Sequence, residues 1–98
     1  MSAELYYAPT RQARRLPLQE VVAIFAAAGL PCKVEPEGQD IAWLAFDAHE
    51  SNIMASVEGG TFVFGTFNFH GDDPPSVVET VDRVMQSIGF STDEGADY

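Results

Sequence analysis

Thr61-Phe62-Val63-Phe64-Gly65-Thr66-Phe67-Asn68-Phe69, entered through Glu58-Gly59-Gly60, is the stretch that decides the fold. Four phenylalanines in nine residues favour an extended chain that packs on a pleated surface. The paired glycines just before them supply the left-handed conformations of a tight hairpin turn. A hairpin needs a second arm, and residues 52–57 provide it. Further back, the polar loop 47–51 precedes an apolar run at 41–46, and the turn 36–40 separates that run from a short extended segment at 32–35. The spacing predicts an antiparallel meander.

Helical periodicity flanks the meander on both sides. Pro17 suits the first position of a helix, where its missing N–H would have no intrahelical partner. Leu18, Val21, Val22, Phe25 and Ala28 follow at spacings of three and four, and Gly29-Leu30-Pro31 forms a helix stop. A second stripe, Val77, Val78, Val81, Val84, Met85 and Ile88, follows Pro74 and Pro75 and ends at Gly89, with Asp72 or Asp73 expected as its cap. At the N-terminus Leu5-Tyr6-Tyr7, ended by Pro9, predicts a brief edge strand or an extended arm. The expectation is an α+β fold with a four- or five-stranded, mainly antiparallel sheet and two helices in the order β-α-β-β-β-β-α. It takes residues 1–90 as one domain and residues 91–98 as a flexible acidic tail.

Alternation within the strands fails in an informative way. Ile41, Trp43 and Ala45 make one side of their strand apolar, while Ala42, Leu44 and Phe46 make the other equally so. A sheet with one wet face alternates more cleanly, so the second face is expected to be covered. Phe62 and Phe64, with Leu44, Phe46 and Met54, are the candidate partner-binding platform beyond the helical core. Either the Tyr6-Tyr7 arm covers that platform, or a homodimer or another protein does.

Fifteen acidic residues oppose five Lys and Arg, for a net charge of -10 and a pI near 4.2. Such a field disfavours nucleic acid and anionic membrane surfaces and steers a basic protein partner toward the molecule. Size and acidity are shared with secretion chaperones, toxin-neutralising immunity proteins and nucleic-acid mimics, a likeness that maps no functional residue. Arg11, Arg14 and Arg15 gather three of the five cations into one segment, a candidate site for an anion or an acidic partner. Cys32 stands alone, which excludes an internal disulfide. No leader or long apolar run is visible, so the cytoplasm is the expected compartment.

Chemistry has fewer candidates. An up-down-up meander brings the loop after the 41–46 strand to the end of the 61–69 strand. There Asp47, His49 and Glu50 would meet His70, Asp72 and Asp73, a low-ranked site for a divalent metal. No nucleophile motif surrounds Cys32 or any serine, and nothing calls for a cofactor. The leading expectation is a non-enzymatic protein-binding or adaptor module, chaperone-, inhibitor- or immunity-like, that uses an apolar sheet face within an acidic field. The alternative is a small metal-binding protein or metal-dependent hydrolase using the edge with His49 and His70.

Overall fold

The chain runs β1 (Ser2–Pro9), α1 (Leu18–Ala27), β2 (Cys32–Pro36), β3 (Ile41–Phe46), β4 (Asn52–Glu58), β5 (Thr61–His70), α2 (Ser76–Ser87) and β6 (Phe90–Thr92) in a computed structural model that describes residues 2–92. The strands form one antiparallel sheet in the order β2-β3-β4-β5-β1-β6. The α+β class and the meander of β2 to β5 match the sequence expectation; the sheet has six strands rather than four or five. No helix among the described residues is long and apolar enough to cross a membrane.

The departures from the expected layout lie at the chain ends. β1 is neither an edge strand nor a covering arm. It pairs with β5 from Ser2↔His70 to Tyr7↔Gly65 and takes β6 on its other side. Ser91 and Thr92 pair with Ala8 and Tyr7, so the strand takes in the first two residues of the expected tail. The rest of that tail, residues 93–98, lies outside the described residues.

Helix limits follow from backbone chemistry. Pro17 sits just ahead of α1 in an extended conformation, and α1 ends as Gly29 takes φ +93° and Leu30 N–H bonds back to Phe25 O at 2.8 Å. α2 starts behind Pro74 and Pro75, whose carbonyls accept from Val77 and Val78 at 3.0 Å. Neither Asp72 nor Asp73 caps it: Pro75 occupies the cap position, and Asp73 is committed elsewhere.

The two helices cover the same face of the sheet. Val21 and Phe25 of α1, and Val77, Val81, Val84 and Met85 of α2, are buried with Leu44, Phe46, Ile53, Ala55, Phe62 and Phe67. The Phe25 and Phe46 rings meet at 5.8 Å. Tyr7 reaches into this core, and its hydroxyl donates to Asp82 Oδ1 on α2 at 3.0 Å. α2 comes so close over β5 that a Cβ on Gly65 would stand 3.1 Å from Met85 Cε and 3.0 Å from Phe62 Cζ.

A slip in register between β4 and β5 decides which rings join the core. Val57 pairs with Phe62 but Ser56 pairs with Phe64, so Val63 is an extra residue in β5. An extra residue reverses the alternation beyond it. Phe62 and Phe64, expected on one side, therefore lie on opposite faces.

Candidate functional site

The helix-free face is assembled row by row from the strand register. Its central row runs Glu35, Trp43, Met54, Thr66, Tyr6 across β2, β3, β4, β5 and β1. A second row runs Lys33, Ala45, Asn52, Asn68, Glu4, in which Asn68 Nδ2 donates to Asn52 Oδ1 at 2.9 Å. On the other flank Ile41, Ser56 and Phe64 follow one another. Trp43, Met54, Ile41 and Phe64 are half-buried, and Tyr6 is 50% exposed. The result is a shelf of half-buried aromatic and aliphatic side chains set among polar ones, on the face opposite both described helices.

Two carboxylates are tied to its aromatic rings. Trp43 Nε1 donates to Glu37 Oε1, and the Tyr6 hydroxyl donates to Glu4 Oε1 at 2.6 Å, which raises the Tyr6 phenol above its ordinary pKa. Lys33 is the only cation in the two five-residue rows. An aromatic surface bordered by carboxylates favours Lys and Arg side chains, through ion pairing at the border and cation–π contact on the rings.

Only part of the expected platform lies on this shelf. Met54 and Phe64 do. Leu44, Phe46 and Phe62 belong to the helix-covered core, at 0, 4 and 2% exposure, and offer nothing to a partner. Choice of face has a physical reason. Leu44 and Phe46 are wholly apolar and suit a dry core, whereas the Trp43 indole carries an N–H that needs an acceptor. Trp43, Ile41 and Tyr6 are the shelf residues that sequence reasoning missed.

Elsewhere, the meander does bring Asp47, His49, Glu50, His70, Asp72 and Asp73 around one polar cleft of ≈ 580 Å³. Its most constrained member is Asp73, which is buried. Asp73 accepts from the Ser51 hydroxyl at 2.5 Å, from Ser51 N–H at 2.7 Å and from Glu50 N–H at 3.1 Å, with His49 Nδ1 at 3.5 Å. Burial pushes its pKa up, but the Ser51 hydroxyl, the two backbone donors and His49 outweigh that and hold it below the usual range. Ser51 Oγ in turn accepts from His70 N–H at 2.9 Å.

This arrangement is a clasp between the β3–β4 loop and the end of β5. Ser51 is buried and donates to a carboxylate rather than to an imidazole, so it is not a primed nucleophile. His70 Nδ1 accepts from Asp72 N–H at 3.2 Å. Among the described residues no three His, Cys, Asp or Glu side chains are grouped to hold a metal ion. Cys32 is half-buried, and burial, helped by Asp47, pushes its thiol up to about 11, leaving it protonated and unreactive at neutral pH.

Arg11, Arg14 and Arg15 lie together on the β1–α1 connection and line a separate cleft. No family model, curated protein or solved structure matches this chain. The functional reading therefore rests on the surfaces themselves.

Proposed function

We propose that this protein is a non-enzymatic protein-binding module whose helix-free sheet face receives an amphipathic helix of a basic partner. The carrying observation is the central row, Trp43-Met54-Thr66-Tyr6, which crosses four strands on the face opposite both described helices. Three strand spacings separate Trp43 from Tyr6, about 14 Å, against a helix diameter of about 10–12 Å with side chains. Glu4, Glu35 and Glu37 stand beside this row, and the net charge of -10 steers a cationic helix toward it.

The test is capture of partners from native extract by the wild-type protein and by Met54→Asp and Phe64→Asp. Each captured protein is then titrated against the wild type while the emission of Trp43, the one tryptophan, is followed. The expected partner shifts that emission to the blue and is lost from both variants, while both still unfold cooperatively from a folded state. Partners held equally by the variants, or without effect on Trp43, would overturn the reading. Concentration-dependent sedimentation abolished by the same substitutions would instead identify the occupant as a second copy of this chain.

A further inference from the structure

The β1–α1 connection is built more firmly than a solvated loop requires. Thr10 N–H and its Oγ1 both donate to Gly89 O, at 2.8 and 2.7 Å, and Arg14 N–H donates to Ile88 O at 2.9 Å. Leu16 O accepts from Phe62 N–H at 2.9 Å, which fixes the far end to β5. Internally, Ala13 N–H donates to Thr10 O and Gln12 N–H to Thr10 Oγ1, both at 3.1 Å. Gly89 fits so tightly beneath the loop that a Cβ there would lie 2.3 Å from Gln12 O. Gly89 thus ends α2 and also seats this connection.

Three of the chain's five cations stand on that pinned segment. Twelve of the fifteen acids lie within residues 2–92, where guanidinium groups should find carboxylates readily. Yet none of Arg11, Arg14 and Arg15 makes an ion pair among the described residues. All three line a cleft of ≈ 380 Å³ whose other walls include Pro9, Phe62, Val63, Phe90 and Glu58. The hydrogen-bonded backbone holds the three arginines at one cleft, so an anion there meets several guanidinium groups at once, although their exposed side chains must still be ordered on binding.

We propose that this cleft binds a small organic phosphomonoester carrying a hydroxyl or amino group. The volume lies in the range of about 300–1,000 Å³ typical of small-ligand sites. A phosphomonoester brings close to two negative charges to several guanidinium forks, the arrangement that Arg recognises best. Pro9 and Val63, the walls that are not buried in the core, take the organic part, and the Glu58 carboxylate accepts from its hydroxyl or ammonium group. A long polyanion is disfavoured, because the net charge of -10 repels it along its whole length, whereas a compact dianion meets the arginines first.

The test is titration of the full chain with glycerol 3-phosphate and with inorganic phosphate, followed through backbone amide NMR shifts. Saturable shifts are expected at Thr10, residues 11–15 and residues 61–63, with glycerol 3-phosphate binding the tighter. Arg14→Gln and Arg15→Gln should each weaken binding about tenfold or more, as loss of a charge-assisted contact does. Arg83→Gln, an arginine on α2 outside the cleft, should leave it within about twofold. Shifts that never saturate, shifts centred elsewhere, or affinities untouched by Arg14→Gln and Arg15→Gln would overturn the proposal. So would binding of an acidic peptide at these residues without binding of either phosphate probe, which would make the occupant a protein.

Discussion

Phe62 and Phe64 stand two positions apart in one strand, and the two faces of the sheet treat them differently. Phe62 lies 2% exposed beneath the helices, its ring 5.0 Å from that of Phe90, while Phe64 is half-buried on the side without helices. Both faces carry aromatic side chains, but the helices lie over only one of them. The buried cluster beneath the helices consists of aliphatic, phenylalanine and methionine side chains together with Tyr7, whose hydroxyl is bonded to Asp82. The open face carries Trp43 and Tyr6, each with a polar end bonded to a carboxylate. Fully apolar residues define a core, and amphipathic aromatics define a surface that stays soluble while offering apolar area to a partner.

The largest expected effect separates the faces directly. Phe62→Ala should destabilise by about 3–5 kcal/mol, the usual cost of emptying a buried aromatic site. Phe64→Ala should cost less than half of that, because its ring is only partly withdrawn from water and leaves no closed cavity. Urea denaturation of both variants measures the difference. Equal losses would mean that the open face is as tightly packed as the core and has no free shelf to offer.

A smaller effect concerns the clasp that joins the β3–β4 loop to the end of β5. Asp73→Asn keeps the shape but removes the charge that draws three donors, and about 1–3 kcal/mol should be lost at neutral pH. The folded-state pKa of Asp73 is depressed, so its contribution is fully present above the unfolded value of about 3.9 and disappears as pH falls through the folded value. Stability curves of the wild type and Asp73→Asn should therefore converge below about pH 4. A gap that stays constant through that window would assign the loss to altered hydrogen-bond geometry rather than to charge.

Local signals made the helices and the meander legible in the sequence. The Leu18-Val21-Phe25 and Val77-Val81-Val84-Ile88 stripes lie on the two helices or at their ends, and Gly29 and Gly89 stop them. What escaped depended on distant partners. Nothing near Leu5-Tyr6-Tyr7 reveals that β1 inserts beside β5, because the pairing joins residues more than 55 positions apart. β6 has only three residues and no periodicity to read. The bulge at Val63 reversed the alternation within β5, which misplaced Phe62. For the candidate site, Met54 and Phe64 were legible, whereas the shelf role of Trp43 and Tyr6 required the register of four strands. The arginine cluster was plain in sequence, but the backbone that seats it was not.

The smallest expected effect tests whether the shelf is an accessory of the fold or part of it. Trp43 is held to Glu37 across the turn between β2 and β3, and Glu37 itself is exposed. Glu37→Gln preserves an acceptor for the indole N–H and removes only the charge, so stability should change by no more than about 0.5 kcal/mol, as for most surface substitutions. Trp43 emission should nonetheless move, because the indole loses a charged neighbour. Fluorescence-detected urea melts give both quantities from one sample. A loss above ~1.5 kcal/mol would show that the charged bond helps to hold β2 on the sheet, and Trp43 would then serve the architecture rather than a partner. An unchanged stability with a shifted spectrum leaves the indole where the proposed function needs it, on a face that the fold itself does not require to be covered.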